Sequence, residues 1–146
     1  MKDLEEFPLQ VEALPSMRSL SVSYYASHAL PDPLLMFLGL KKLFLGKSEI
    51  TMLPDSLGQL SSLHELILHR LLDLSGLPPS IGQLCDLTSM EIFQCPIGDL
   101  LNTVGDLTSL RYSELHELDT ICELSSSIGR LLGLKTLVLW CLPNLG

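Results

Sequence analysis

Apolar residues recur along this chain in short clusters that follow one template. In each cluster the first, fourth and sixth positions of a six-residue segment are apolar, which gives the pattern L-x-x-L-x-L. The fourth positions of the six copies are Leu20, Leu43, Leu66, Met90, Ser113 and Leu137, of which only Ser113 is polar. Neighbouring copies are 23 or 24 residues apart, and random clustering of apolar residues does not keep such a period. The chain is therefore predicted to consist of about six repeats.

Each repeat is predicted to contain a short strand and a return. The last positions of the template alternate between apolar and variable residues, as in a strand with one buried face. A segment related to L-P-x-S-I-G-x-L precedes the strands, as "LPDSLGQL" at 53–60 and "LPPSIGQL" at 77–84. Its proline ends strand pairing, its small polar residue can cap a helical turn, and its glycine allows close backbone packing. We expect an irregular or 3₁₀ return, with Ser80 and Ser127 as turn caps.

Stacking would make such repeats stable. A single unit cannot bury its apolar face, whereas stacked copies share one continuous core. The predicted fold is an α/β repeat, a curved solenoid over residues 1–146 with short parallel strands on its concave side and the returns on its convex side. The template extends to L-x-x-L-x-L-x-x-N/C-x-L, and on this pattern the chain resembles leucine-rich repeat proteins. Only Cys95 fits the N/C slot well, so we expect looser turns after the other strands.

The return motif narrows this resemblance. The repeat length, the L-P-x-S-I-G-x-L return and the cysteine in the turn slot are similar to the repeat region of plant intracellular disease resistance proteins, which are nucleotide-binding immune receptors. The resemblance implies a protein-protein recognition module that senses a protein ligand or restrains another domain of a parent receptor. Plant intracellular Ras-group leucine-rich repeat proteins have repeats of the same length, so a free-standing signalling scaffold is the alternative. Receptor-kinase ectodomains usually carry a G-x-I-P return, and no such motif occurs here.

Charge and composition limit the possible partners. The net charge is −8, and only nine Lys and Arg residues are spread over the chain, which argues against a nucleic-acid partner. The most apolar stretch, residues 33–40, is far shorter than the ~20 residues that span a bilayer, and no signal peptide is recognisable. The four cysteines include no C-x-x-C pair and are interpreted as reduced thiols. We therefore expect a protein of the cytosol or nucleus with a protein partner and no membrane contact.

The reactive side chains form no recognisable catalytic, cofactor or metal motif. The segment ending in Gly46, Lys47 and Ser48 superficially resembles a phosphate-binding loop, but a lysine stands five residues before Gly46, where that loop needs a glycine. His64 and His69 lack the i, i+4 helical spacing of a zinc-protease pair. No enzyme activity, small-molecule substrate, cofactor or metal is therefore expected.

Function is predicted to lie on the concave face, where side chains alternate outward from the core positions. One column across neighbouring strands would consist of His69, Phe93, His116 and Trp140. A second column beside it would consist of Phe44, Ile67, Glu91, Glu114 and Val138. Together with Glu65 and Tyr112 these are the candidate protein-binding residues, because exposed aromatic and apolar side chains favour a protein contact. The alternative is a diverging repeat whose strand face is merely semi-apolar.

Both ends of the chain are predicted to lack a capping repeat. Terminal repeats of a solenoid need a polar outer face, since they otherwise present half of a hydrophobic core to water. At one end, Phe7, Val11 and Leu14 are in core register. At the other end, the last repeat ends in the apolar segment "LWCLPNLG" at 139–146, which has no polar outer face. We therefore expect these residues to be a piece of a longer array.

Overall fold

Six parallel strands form a single sheet whose order follows the order of the chain. The computed structural model describes residues 16–31, 37–98 and 102–146. The strands are β1 (Ser19–Ser23), β2 (Lys42–Gly46), β3 (Glu65–His69), β4 (Ser89–Phe93), β5 (Tyr112–His116) and β6 (Thr136–Trp140). Their register pairs the fourth positions of the sequence template with one another, from Leu20 opposite Leu43 to Ser113 opposite Leu137. The predicted solenoid and its strand register are confirmed.

The returns that precede β3 to β6 each contain one turn of 3₁₀ helix. These helices are Asp55–Gln59, Pro79–Gln83, Asn102–Asp106 and Ser126–Arg130. The core lies between them and the sheet, and it consists largely of the leucines of the template and of the returns. Among the described residues, no helix is long and apolar enough to cross a membrane.

Glycine is required where neighbouring returns pack against each other. A Cβ atom on Gly58 would lie 2.5 Å from the carbonyl oxygen of Ser80, and one on Gly82 would lie 2.6 Å from that of Thr103. Both distances are shorter than van der Waals contact, so a side chain at either position would push the returns apart. The predicted role of these glycines in close backbone packing is confirmed.

The predicted serine caps are wrong. Ser80 and Ser127 are buried, and among the described residues their hydroxyl oxygens have no hydrogen-bond partner. Both serines are the second residue of their 3₁₀ helix rather than the residue before it. Pro78 precedes the helix Pro79–Gln83 without a side-chain cap, because a proline side chain has no atom that can accept a hydrogen bond. The cap of the last return is Ser125, whose hydroxyl accepts a hydrogen bond from the Ser127 N–H.

The residue that follows each strand has a left-handed backbone. Its φ lies between 46° and 57° in all six repeats: Tyr24, Lys47, Arg70, Gln94, Glu117 and Cys141. In the first five repeats the N–H of this residue donates to the last residue of the next strand, for example from Arg70 to the Phe93 oxygen at 2.8 Å. The expectation of looser turns outside the Cys95 repeat stays a prediction.

The slot that follows this residue also accepts more side chains than predicted. The Cys95 Sγ donates to the Phe93 oxygen at 3.4 Å. Ser48 occupies the same slot after β2, donates to the Gly46 oxygen at 2.8 Å and accepts from the Tyr25 N–H at 3.1 Å. The prediction that only Cys95 fits the slot is wrong, because a serine hydroxyl bonds the same exposed backbone.

Strand β6 pairs with a neighbour on one side only. Its core residues Leu137 and Leu139 are 36% and 39% exposed, whereas Leu66 and Leu68 of β3 are fully buried. Phe7, Val11 and Leu14, expected in core register at the other end, lie outside the described residues. That the chain belongs to a longer array stays a prediction.

Candidate protein-binding face

Outward side chains of the six strands form three columns across the concave face. The first column is Ser19, Lys42, Glu65, Ser89, Tyr112 and Thr136. The second is Ser21, Phe44, Ile67, Glu91, Glu114 and Val138. The third is Ser23, Gly46, His69, Phe93, His116 and Trp140. The structure thus brings every candidate residue of the sequence analysis to one face, in the predicted register.

Five aromatic rings stack along the third column. They belong to Phe44, His69, Phe93, His116 and Trp140, and we call this stack the aromatic ladder. From Phe44 to Trp140, successive ring centroids are 6.2, 4.6, 4.5 and 5.7 Å apart. The ring planes of successive pairs differ by 5° to 30°, so the rings lie nearly parallel. The spacing follows that of neighbouring strands, about 4.8 Å.

Phe44 belongs to the second column by its backbone but to the ladder by its ring. Gly46 holds the third-column position of β2 and has no side chain to fill it. A Cβ atom there would lie 2.6 Å from Cε1 of Phe44, so the phenyl ring occupies the space that the glycine leaves. Sequence reasoning placed Phe44 beside the ladder, and the adjacent glycine was the signal that could have placed it within.

The rings of the ladder differ in what they offer to a partner. His69, Phe93 and His116 each stack on both sides, so their faces are covered and the three side chains are half-buried. Trp140 is 59% exposed and, within the described chain, stacks on one side only. An aromatic face is electron-rich and attracts cations. The outer face of the Trp140 indole is therefore the free face at this end of the ladder.

Burial lowers the pKa of one of the two ladder histidines, His69. The nearby Lys47 ammonium and Arg70 guanidinium lower this pKa further, because both disfavour a positive charge on the imidazole. The His116 Nδ1 lies 3.4 Å from the Glu117 carboxylate.

Two glutamates stand side by side in the second column. Glu91 and Glu114 are partners in the register of β4 and β5, and we call them the acidic pair. Burial raises the pKa of Glu91, and the Glu114 charge raises it further. The Tyr112 hydroxyl donates to Glu114 Oε2 at 2.6 Å, a bond that raises the pKa of Tyr112 to about 12. The pair is thus held close without a cation between its members in the described chain.

The first column contains an ion pair of opposite charges. Lys42 Nζ lies 2.8 Å from Glu65 Oε2, and this contact raises the pKa of the lysine. Glu65, a candidate binding residue, is therefore engaged within the molecule. The carboxylates of the acidic pair, by contrast, form no ion pair within the described chain.

A row of side chains that sequence reasoning missed borders the ladder. It consists of the left-handed residues that follow the strands, from Tyr24 to Cys141, and we call it the rim. Two shallow grooves lie along the rim and share Arg70 and Leu72 as lining residues. Lys47 donates to the Tyr24 hydroxyl at 3.2 Å, and Gln94 donates to Glu117. Only their position, one residue after the end of each predicted strand, could have identified the rim residues from the sequence.

The described residues offer little reactive chemistry. No group of three or more His, Cys, Asp or Glu side chains among them could hold a metal ion. Burial raises the pKa of Cys95 to about 11, so this thiol stays protonated near neutral pH and is a poor nucleophile. The His64 Nδ1 contacts the Ser62 carbonyl oxygen at 2.6 Å, which ties this histidine to its own turn.

Comparison with known proteins bears on the fold. Neither a family model nor a curated protein matches the sequence. Among solved structures, the leucine-rich repeat domain of the type III effector XopL matches with a TM-score of 0.88 and 24% identity, over 98% of this chain and 51% of that chain. The fold is a leucine-rich repeat solenoid.

Two further leucine-rich repeat structures support this assignment. A leucine-rich repeat protein of Leptospira interrogans matches with a TM-score of 0.67 and 24% identity, over 93% of this chain and 40% of that chain. The functional domain of InlJ from Listeria monocytogenes, which includes a cysteine ladder, matches with a TM-score of 0.65 and 18% identity, over 88% and 26%. This chain spans about half of the XopL domain and less of the other two. At such identities the likeness is one of fold.

Proposed function

We propose that this leucine-rich repeat chain is a protein-protein recognition module that binds its partner on the concave face. The observation that carries the proposal is the aromatic ladder. In β3, β4 and β5 the core takes up the inward positions, whereas the ladder rings stand on the outward face and stay partly exposed. Exposed aromatic side chains in a contiguous patch are typical of protein contact sites.

The stacking of the ladder also favours binding. Each inner ring is held between two others at centroid distances near van der Waals contact, as Phe93 is by His69 and His116. Side chains that are already ordered lose little conformational freedom when a partner arrives. The ladder therefore presents a pre-organised surface, with the exposed Trp140 at one end.

More specifically, we propose that the chain is the repeat region of a plant immune receptor. Its support is the return motif at 53–60 and 77–84, the repeat length and Cys95 in the turn slot. The partner is then a protein ligand or a domain of the parent receptor, in the cytosol or nucleus. Sequencing the transcript upstream of the Met1 codon tests this. A nucleotide-binding domain in frame supports the receptor, whereas an in-frame stop codon favours the free-standing scaffold.

Peptide selection tests the binding face itself. Peptides that bind the purified chain are selected from a random-peptide phage library. Their affinities are then measured for the wild-type chain and for the Trp140→Ala variant. The matched control is Leu132→Ala, because Leu132 is a 94% exposed apolar residue outside the strands. We expect Trp140→Ala to weaken binding by about 1 to 3 kcal/mol and the control to leave it unchanged. If none of the substitutions of Trp140, Phe93 and His116 changes the affinity of the peptides, the binding surface lies elsewhere.

A further inference from the structure

Charges on the concave side are not evenly distributed along the solenoid. Lys47 and Arg70 lie on the rim after β2 and β3, whereas Glu117 lies on the rim after β5. On the face itself, Lys42 of β2 is paired with Glu65 of β3. Across β4, β5 and β6 the outward positions hold two glutamates and neither lysine nor arginine. The half of the face that includes Trp140 is thus the acidic half.

The acidic pair lies in the centre of that half and forms no ion pair within the described chain, although the Lys42 ammonium acts on Glu91 from a distance and partly offsets the rise in its pKa. Neighbouring like charges on adjacent strands destabilise a sheet. The Arg111 guanidinium, although it immediately precedes β5, donates to the backbone oxygens of Thr108 and Leu110 at 3.4 Å. Within the described chain, Glu91 makes no hydrogen bond or ion pair, and Glu114 has only the Tyr112 hydroxyl. A cation from outside could therefore bind here without displacing an internal partner.

The ladder lies beside the pair and is aromatic. Phe93 and His116 are in the neighbouring column of the same two strands, and Trp140, which is 59% exposed, follows on β6. Arginine and lysine have long apolar stems below their charged groups and lay these stems along apolar surfaces. The guanidinium can also bind a carboxylate through two parallel hydrogen bonds and stack on an indole face.

We propose that the partner is a basic protein segment that places an arginine or lysine between Glu91 and Glu114, with the stem of that side chain and its apolar neighbours against the ladder towards Trp140. This inference rests on the proposed recognition by the concave face. Charge complementarity selects the partner class, since an acidic segment would meet three carboxylates, Glu91, Glu114 and Glu117, on β4 and β5 and their rim.

Peptides selected from the phage library on the full chain test the inference. They are expected to be enriched in arginine and lysine relative to the library. In a synthetic peptide from the selection, replacing the arginines by citrulline, which keeps their shape and removes their charge, should weaken binding about tenfold. On the protein, Glu91→Gln/Glu114→Gln should cause a similar loss.

The control variant is Asp86→Asn/Glu123→Gln. It removes two negative charges at exposed positions outside the strands and should leave affinity within about twofold. Circular-dichroism melting of both double variants verifies that each is folded.

The outcomes separate this inference from the proposed function. Peptides without arginine or lysine that nevertheless require Trp140 would overturn the basic partner and leave the concave face as the binding surface. Equal losses in both double variants would also overturn it, because the effect would then come from net charge. Peptides that do not depend on the ladder, or a failure to select any peptide, would count against both.

Discussion

The convex returns and the concave face of this solenoid are constrained in different ways. In the returns, Gly58 and Gly82 face a carbonyl oxygen of the next repeat at a distance that leaves no room for a Cβ atom. On the face, the same column position holds serine in β1, glycine in β2 and an aromatic ring in β3 to β6. Close backbone packing forces the returns to repeat, whereas open space lets the face diverge. The repeated residues therefore carry stability, and the divergent ones are those we propose for recognition.

The sharpest way to break this comparison lies within one strand. Leu66→Asp should unfold the array, because it places an unpaired charge at a fully buried position, at a cost of several kcal/mol. Glu65→Ala, one position away on the open face, should leave the fold intact. Circular dichroism measures both, and equal loss of signal in the two variants would contradict the register.

A second test concerns the returns alone. Gly82→Ala should lower the free energy of unfolding by about 1–3 kcal/mol, because its methyl group would lie 2.6 Å from a backbone oxygen. Gly129→Ala is the matched control, since a Cβ atom there meets no atom within 4 Å. Urea titration gives both values, and equally stable variants would show that the returns do not need glycine.

The ladder should respond unequally along its length. Phe93→Ala removes a ring that stacks on two neighbours and should cost about 1–3 kcal/mol of stability. Trp140→Ala removes a largely exposed ring with one stacking partner and should cost about 1 kcal/mol or less. Thermal melting distinguishes them. A larger loss for Trp140→Ala would mean that its main role is structural.

The smallest effect is expected at the acidic pair. The pKa of Glu91 is raised in the folded state, so its ionisation opposes folding, and its contribution to stability is lost as pH rises through that pKa. Glu91→Gln should therefore stabilise the chain near neutral pH, by roughly 0.2–1 kcal/mol and towards the lower value because solvent screens the pair. The gain should shrink in acid, whereas Glu123→Gln should show no such trend. Melting curves against pH measure it, and a neutral-pH loss would contradict the repulsion.

The fold could be predicted from the sequence because the same pattern occurs in every repeat. A single L-x-x-L-x-L segment is ambiguous, but six at one spacing predict both the parallel sheet and the residues on each face. The left-handed backbone after each strand was harder to predict. Glycine is the residue that usually indicates a positive φ, whereas these positions hold residues such as Arg70 and Gln94. In the first five repeats the N–H of the residue at this position donates to the next strand, which is a tertiary contact, and Cys141 has a φ in the same range without such a contact among the described residues.

The site could be located but not described in full. Register alone predicted that His69, Phe93 and His116 would form a column. The ring of Phe44 joins them because Gly46 leaves space, and that depends on a side-chain rotamer. That Glu91 forms no ion pair among the described residues also required the positions of Lys42 and Arg111.

Recognition by the concave face can be tested most directly by mapping a bound peptide. Nuclear magnetic resonance cross-saturation from a selected peptide to the labelled chain reports which side chains it touches. The account predicts that the Trp140 indole and the ring edges of Phe93 and His116 are saturated, with weaker effects at Ile67 and Val138. Saturation confined to the returns at 55–59, 79–83, 102–106 and 126–130 would contradict it.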